Sequence, residues 1–202
     1  MIMSHMNIKS IFLAFAAFFA GLVMCNAQDD ALSFIAKKNA GVSSLESSFK
    51  HTKTMKTSGK VTVSSGTLYY IAPDKLSMLY AAPSTDYLVI NGDTMDISRG
   101  DRTASYNTAK NPLMAQLRDV LLLCISGKVK EAAESNDADI AVESSSGSYV
   151  VTLTARTKSS RGYSKVVLKY SKTTGILSEM ETAEMSQIVN LYQMSGIKVN
   201  PK

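Results

Sequence analysis

The stretch from Gly66 to Gly92 constrains the fold of this chain more than any other part of the sequence. It contains three strand-like runs, separated by Pro73-Asp74 and Pro83-Ser84, and in the first two, from Leu68 to Tyr80, apolar residues interchange with polar or small ones. Proline fixes φ and removes a backbone donor, so both pairs belong in turns. Asn91-Gly92, a dipeptide suited to a tight hairpin, ends the third run. The stretch therefore predicts an antiparallel β-meander.

One face of this meander is expected to be apolar, because residues two apart share a face of a strand. The apolar positions on either side of the first turn follow that spacing: Leu68, Tyr70, Ala72, Leu76, Met78 and Tyr80. All residues of Tyr87–Ile90 are apolar, so their faces cannot be assigned. We predict that the cavity-facing side of the sheet is formed by Leu68, Tyr70, Leu76, Met78, Tyr80, Met95 and Ile97.

Further strands are predicted on both sides of the meander, bounded by turns that contain glycine or serine. The predicted spans are Ser43–Thr57, a strand through Val61 and Val63, a short run ending near Tyr106, Asp139–Glu143, Ser148–Ala155, Tyr163–Tyr170, Ile176–Thr182 and Gln187–Met194. Together these give a mainly β fold of about eleven strands. A sheet of this size is expected to curl, so helices with an apolar face would cover its concave side.

Two such helices are predicted. The first runs from a cap at Asp29 or Asp30 to about Asn39. Its apolar residues at helical spacing are Leu32, Ile35 and Ala36. The second begins at Asn111-Pro112 and ends at Gly127. We expect the underside of a lid to be formed by Leu113, Leu117, Val120 and Leu121, with Cys124 on the same face.

The length of 202 residues and the hydrophobic content of 45% suffice for one sizeable core, so residues 28–202 are interpreted as a single domain. The basic residues are scattered, and Lys37-Lys38 is the only adjacent pair. This distribution does not favour a nucleic-acid partner. We expect a monomer.

Residues 1–27 have the features of a secretory signal peptide. Lys9 precedes an almost wholly apolar run, Ile11–Met24, and the small residue Ala27 suits cleavage before Gln28. The run is too short for a stable membrane span. The start is ambiguous, because Met3 and Met6 are equally suitable initiators. We therefore expect export, with the mature chain beginning at Gln28.

A second interpretation of the leader is a lipobox at Leu22–Cys25, which would lipidate Cys25 and tether the chain to a membrane. Met24 argues against it, since a small residue usually precedes the lipidated cysteine. Without Cys25 the mature chain has Cys124 alone and cannot form an internal disulfide. The apolar neighbours of Cys124 favour a packed, unreactive thiol.

The sequence does not favour an enzyme. His51 is the only histidine after the leader and lies in a predicted strand, where an ordinary hydrogen bond is its expected role. No His/Cys/Asp set has metal-ligand spacing, and no glycine pattern fits a phosphate or dinucleotide loop. Arg99-Gly100-Asp101 matches a cell-adhesion tripeptide but favours a hairpin turn. No cofactor and no metal are expected.

The order of the motifs resembles that of the LolA family of periplasmic lipoprotein carriers. The similarity rests on Val42–Phe49, Gly66–Tyr70, Pro73–Leu76, Pro83 and Asn91–Asp93 as an ensemble. It extends from about Ala31 to Met194 and includes a helix that follows a proline and a set of late strands. No single motif is specific, but their order is.

The resemblance implies an unclosed β-barrel with a helical lid, whose hydrophobic cavity holds the acyl chains of lipoproteins. It implies a carrier in the periplasm that takes lipoproteins from the inner to the outer membrane. It also implies two partners, an inner-membrane ABC-type release complex and an outer-membrane acceptor. The alternative is a membrane-tethered acceptor, or an envelope-stress sensor, of the same fold. An N-terminal Gln28 distinguishes the soluble carrier from a protein acylated at Cys25.

Three departures separate this chain from the family pattern. The family usually has an arginine before the first proline, which latches the sheet to the lid, and here that position is Ala72. We therefore interpret Ala72 as a gating position. Met78 and Asp96 replace aromatic residues, and the chain ends at Lys202 without the full terminal strand that is often seen.

Overall fold

The computed structural model describes residues 27–157 and 162–202, so the predicted signal peptide and Cys25 lie outside the described residues apart from Ala27. In the described part, eleven strands form one antiparallel sheet. Their bounds are β1 Ser44–Met55, β2 Lys60–Ile71, β3 Lys75–Tyr80, β4 Tyr87–Asn91, β5 Thr94–Arg99, β6 Arg102–Asn107, β7 Ala138–Ser145, β8 Ser148–Ala155, β9 Tyr163–Ser171, β10 Leu177–Glu184 and β11 Ile188–Val199.

The strand order is β6-β5-β4-β3-β2-β1-β11-β10-β9-β8-β7. Each half of the chain is therefore a meander of sequential neighbours, and the pairing of β1 with β11 joins the two halves. The edge strands β6 and β7 do not pair with each other, so the curved sheet stays unclosed. The predicted fold class, a mainly β, unclosed antiparallel sheet with covering helices, is confirmed.

The central stretch folds as predicted, with two adjustments. Pro73-Asp74 and Pro83-Ser84 lie between strands, and Arg99-Gly100-Asp101 spans the β5–β6 turn. However, β2 is continuous through Gly66, so the predicted strand through Val61 and Val63 and the first run of the meander are one strand. The turn after β4 is centred on Gly92 and Asp93, because Asn91 pairs with Thr94.

The first helix, α1, covers residues 27–39 of the described chain. The predicted cap at Asp29 or Asp30 is wrong, because both residues already lie within the helix. Ala36 is exposed instead of buried, whereas Asn39 is buried. The side chain of Asn39 donates to the carbonyls of Ile35 and Gly175, at 2.9 and 2.8 Å, and so ties the end of α1 to the β9–β10 turn.

The second helix, α2, spans Pro112–Ile125 as predicted. Asn111 caps it, since its side chain accepts from the Met114 N–H at 3.2 Å. Gly127, with φ +73°, follows the helix and allows a left-handed turn there. A third helix, α3 Val129–Ser135, was not predicted, because seven residues span too few turns to show a helical period.

The core lies between the concave face of the sheet and the helices. Alternate residues of β1, Leu45, Ser47, Phe49 and His51, are buried as the period of a strand predicts. From α1, Leu32 and Ile35 are buried. From α2, the buried residues are Val120, Leu121, Leu122, Cys124 and Ile125. The helices therefore cover the apolar face of the sheet.

Candidate ligand-binding cavity

A cavity of about 410 Å³ opens between the first turns of α2 and the β5–β6 hairpin. Its far wall comes from Tyr163 at the start of β9 and Glu184 at the end of β10. These strands lie on the other half of the sheet, so the cavity bridges the side where the sheet is unclosed. The lining residues are Ile97, Arg99, Arg102, Thr103, Ala104, Tyr106, Leu113, Met114, Gln116, Leu117, Gly162, Tyr163 and Glu184.

The remainder of the space under α2 is filled. The second half of α2 leaves a void of only about 10 Å³, lined by Phe49, Leu68, Met78, Leu121, Ile125, Leu177, Met180, Tyr192 and Met194. We call these residues the packed region. A Cβ at Gly66 would lie 2.6 Å from the Phe49 ring and closer still to the Leu79 carbonyl, so not even a methyl group fits there. The space under α2 is thus open at one end of the helix and packed at the other.

The predicted site residues divide between the two regions. Of the predicted sheet face, Ile97 alone lines the cavity, whereas Leu68 and Met78 belong to the packed region. Tyr70, Leu76 and Met95 are buried in the core, and Tyr80 is half-buried. Of the predicted lid, Leu113 and Leu117 line the cavity, Leu121 belongs to the packed region, and Val120 is buried.

Sequence reasoning missed most of the cavity. Arg99, Arg102, Ala104 and Tyr106 continue the period-2 alternation from Ile97 across the β5–β6 turn, and that signal could have located them. The residues Tyr163 and Glu184 had no such signal, because only the curvature of the sheet brings them opposite α2. On the same helix, Met114 lies about one turn from Leu117, and Gln116 lies about one turn from Leu113.

A chain of hydrogen bonds runs beside the cavity. The Tyr80 hydroxyl lies 3.0 Å from Nδ1 of His51, and Nε2 of His51 lies 3.1 Å from Oδ1 of Asn190. Nδ2 of Asn190 donates to Glu184 at 3.0 Å. Since Asn190 Oδ1 can only accept, Nε2 carries the proton and Nδ1 accepts from the Tyr80 hydroxyl. The chain therefore fits a neutral imidazole.

Burial is the main cause that lowers the pKa of His51. The nearby charges of Lys53 and Arg99 lower it further, against a hydrogen bond with Asn190 that raises it. The imidazole also stacks on Tyr192, with ring centroids 4.3 Å apart. An ordinary hydrogen-bonded histidine in a strand was predicted, and this is confirmed.

The thiol of Cys124 is fully buried, and burial raises its pKa to about 12. A packed, unreactive cysteine was predicted, and this is confirmed. Burial also raises the pKa of the Tyr163 and Tyr192 hydroxyls, which stay neutral. Within residues 27–157 and 162–202, no group of His, Cys, Asp or Glu side chains could hold a metal ion. Nor does any helix in these ranges have the length and apolar character to cross a membrane.

Two contacts fasten α2 to the sheet. At its second half, the Tyr170 hydroxyl of β9 donates to the Cys124 carbonyl at 2.7 Å in a buried position. At its middle, Arg118 pairs with Asp93 of the β4–β5 turn and donates to Thr108 at 2.8 Å. Ala72, the position at which the resemblance implies a latch, is half-buried and donates its N–H to the Ser43 carbonyl. In this chain other residues hold the helix.

A curved, unclosed antiparallel sheet that carries a helix over a partly filled concave face defines a binding protein of the open-barrel class. The sequence model of the family described as outer membrane lipoprotein carrier protein LolA matches residues 40–202. The chain belongs to this family. The match extends beyond Met194, and β11 likewise continues to Val199.

The solved structures that match this chain have low sequence identity. A LolA superfamily protein from Nitrosomonas europaea is 12% identical, with 86% of this chain and 94% of that chain covered and a TM-score of 0.42. The Mycobacterium tuberculosis lipoprotein LppX is 13% identical, with 86% and 97% covered and a TM-score of 0.43.

In the Pseudomonas aeruginosa MucA/MucB complex, the matching chain is 15% identical, with a TM-score of 0.47. The match covers 85% of this chain but only 56% of that chain. A comparison with curated protein sequences finds no match.

Proposed function

We propose that this protein is a periplasmic carrier that shields the acyl chains of lipoproteins and delivers them from the inner to the outer membrane. The observation that carries the proposal is the cavity between α2 and the β5–β6 hairpin, next to the packed region under the same helix. Membership of a family of lipoprotein carriers supports it.

A carrier of this kind is needed because acyl chains do not leave a membrane unaided. Burial of hydrocarbon stabilises by about 0.8 kcal/mol per methylene, so a sixteen-carbon chain in water costs on the order of 12 kcal/mol. A carrier must cover the chain and yet release it. A cavity with one mobile wall meets both needs, because binding then depends on how easily that wall moves.

In this proposal α2 is the mobile wall. The cavity, without any movement of α2, would hold one acyl chain against Ile97, Leu113 and Leu117. Movement of α2 would add the apolar sheet surface that it now covers, which is formed by Leu68, Tyr70, Leu76, Met78 and Met95. Methionine side chains suit this task, because they adapt to ligands of irregular shape. A multiply acylated cargo would require the larger surface.

The proposal also assigns partners and location. An inner-membrane ABC-type complex would load the carrier, and an outer-membrane acceptor would receive the cargo. The carrier would act as a monomer in the periplasm, after removal of residues 1–27.

The test is to fill the cavity. Ala104→Phe adds a ring to the cavity wall, and we expect the affinity for a fluorescent acylated peptide to fall about tenfold or more, since the ring takes the space of several methylenes. The free energy of unfolding should change by less than about 1 kcal/mol, because the site is exposed. Fluorescence titration and urea unfolding measure the two.

Ser105→Phe is the matched control. Ser105 is the next residue of β6, does not line the cavity, and gains the same ring. It should leave the affinity unchanged. If Ala104→Phe binds the acylated peptide as tightly as the wild type, the cavity is not the acyl site and the proposal fails.

A further inference from the structure

Two arginines lie at the mouth of the cavity. Arg99 ends β5 and Arg102 begins β6, and the two are direct partners across the turn of Gly100 and Asp101. Both line the cavity, together with the apolar residues Ile97 and Ala104. An acyl chain lying against the apolar wall would therefore place its terminal group beside two guanidinium groups.

These two arginines differ from the other arginines that the structure describes. Arg118 pairs with Asp93 and Asp119, and Arg156 pairs with Asp137 and Asp139. Within the described residues, which include every Asp and Glu of the sequence, no carboxylate lies within 4 Å of Arg99 or Arg102. The arginines that line the cavity are thus the ones without an ion pair.

Two carboxylates close to this mouth, those of Glu184 and Asp86, already accept hydrogen bonds from other groups. Both oxygens of Glu184 are engaged, by Asn190 at 3.0 Å and by the Ser186 hydroxyl at 2.7 Å. Oδ1 of Asp86 accepts from the Gly100 N–H at 2.8 Å and so fixes the turn between the two arginines. The guanidinium groups therefore keep their donors for a ligand.

The charge of Arg99 also reaches the interior. It contributes to the lowered pKa of the buried His51 imidazole, because a positive charge nearby disfavours a second one. The cavity thus combines apolar walls with two arginines and one carboxylate, that of Glu184. A neutral acyl ester would use only the walls.

We propose that the cavity binds an amphiphile whose hydrocarbon chain ends in an anionic group, a carboxylate or a phosphate, held by Arg99 and Arg102. The planar guanidinium group presents paired N–H donors that match either oxyanion. The inference rests on the proposed function, since it requires an acyl chain in the cavity. It adds that the ligand is selected by charge as well as by its hydrocarbon.

The experiment compares three ligands with the same twelve-carbon chain: dodecanoate, dodecyl phosphate and methyl dodecanoate. Each displaces the fluorescent acylated peptide from the full mature chain. We expect the wild type to bind at least one of the two anions about tenfold tighter than the neutral ester, since charge-assisted hydrogen bonds add to the apolar contact. A preference for the phosphate indicates a phospholipid-type headgroup, and a preference for the carboxylate indicates a free fatty acid.

Variants then assign the preference to the two arginines. In the double variant Arg99→Gln/Arg102→Gln, anion binding should fall to the level of the ester while ester binding stays the same. The double variant Arg99→Lys/Arg102→Lys should retain part of the preference. The control variant Arg156→Gln, which changes an ion-paired surface arginine, should retain all of it. Urea unfolding checks that each variant is folded.

The outcomes separate this inference from the proposed function. If the anions and the ester bind the wild type equally, the anion site is wrong although the acyl cavity stands. If the glutamine variant keeps the preference, Arg99 and Arg102 do not form the site. If none of the three ligands displaces the peptide, the cavity itself is not the acyl site.

Discussion

The space beneath α2 has two ends that differ in content although one helix and one sheet enclose both. In the packed region, side chains leave about 10 Å³. In the cavity, about 410 Å³ is open. The packed region is built on β1, β2, β3, β10 and β11, the middle of the strand order, whereas the cavity lies where β5 and β6 reach the edge.

The difference follows from the missing closure of the sheet. In the middle of the sheet each strand has a neighbour on both sides, and their inward residues meet α2 as a close-packed core. At the open side β6 and β7 do not pair. There α2 lies across the gap between β6 and the far strands. One part of the concave face therefore stabilises the fold, and another part is available to bind. Mutations in the two parts should have separable effects.

The largest expected effect comes from replacing a leucine of α2 by aspartate, and its size should depend on whether the leucine lies in the packed region or at the cavity. Leu121 is 5% exposed in the packed region, whereas Leu113 is 37% exposed at the cavity. We expect Leu121→Asp to lower the free energy of unfolding by about 3 kcal/mol or more, because the carboxylate would be buried without a partner. Leu113→Asp should cost less than about 1 kcal/mol but weaken acyl binding. Urea unfolding and fluorescence titration measure both.

Leu121→Asn serves as the uncharged control and should destabilise less than Leu121→Asp. Equal losses of stability for Leu121→Asp and Leu113→Asp would contradict the division into a packed region and a cavity.

A smaller effect is expected from loosening the hold on α2. Tyr170→Phe removes the hydroxyl that donates to the Cys124 carbonyl. The free energy of unfolding should fall by about 1–2 kcal/mol, as for loss of a buried hydrogen bond. If α2 is the mobile wall, acyl affinity should rise, because the state with α2 displaced becomes more populated. Thermal unfolding and peptide titration test both. Tyr69→Phe, at a residue that is 43% exposed, should change neither.

The opposite change is Ala72→Arg, which restores the residue that the family pattern has before the first proline. The new guanidinium group would hold α2 through its carbonyls, so we expect acyl affinity to fall and the melting temperature of the empty protein to hold or rise. If a folded Ala72→Arg variant binds the acylated peptide as tightly as the wild type, residue 72 is not a gating position.

The smallest expected effect is a pH dependence at the boundary of the two regions. The pKa of His51 is lowered in the folded chain, chiefly by burial, so the unfolded chain binds its proton at a higher pH. The contribution of this histidine to stability is complete above its ordinary pKa of about 6.5 and declines as the pH falls toward the folded value. The charged groups that act on it are Lys53 and Arg99.

Urea unfolding between about pH 5.5 and 7.5 measures this effect, because carboxyl groups titrate mainly below that range. We expect wild-type stability to rise with pH in this window and His51→Gln to be flatter. A wild type and a His51→Gln variant with the same slope would show that His51 is not the group responsible.

The sequence predicted the strands along the chain and the apolar face of the meander because both depend on local patterns, whereas the pairing of β1 with β11 was not predicted. Proline turns, glycine turns and period-2 alternation place Leu68, Tyr70, Leu76 and Met78 on one face without any knowledge of the rest. The cap of α1 was predicted wrongly because aspartate is a common capping residue. In the structure, Asp29 and Asp30 lie inside the helix, and the sequence pattern does not show this.

The structure has a cavity, but of the predicted site residues only Ile97, Leu113 and Leu117 line it. Leu68 and Met78 were expected to face a ligand, yet α2 and β10 supply the residues that fill their surroundings. Whether an apolar face is covered or hollow depends on which distant elements meet it, and Leu177 and Met180 lie about a hundred residues from Leu68 and Met78 along the chain. A local pattern carries no such information. The same limit applies to Tyr163 and Glu184, which complete the cavity wall.

The junction of β1 with β11 has a consequence for how the chain reaches its fold. Within each half, every strand pairs with its neighbour along the chain, so those contacts can form early and at little entropic cost. The junction brings together His51 and Tyr192, and it can form only after nearly the whole domain has been synthesised. Until then β1 offers an unpaired edge at which other chains can add. We expect this closure to limit the folding rate, so the steps that precede it are those at which a nascent chain most needs protection from aggregation.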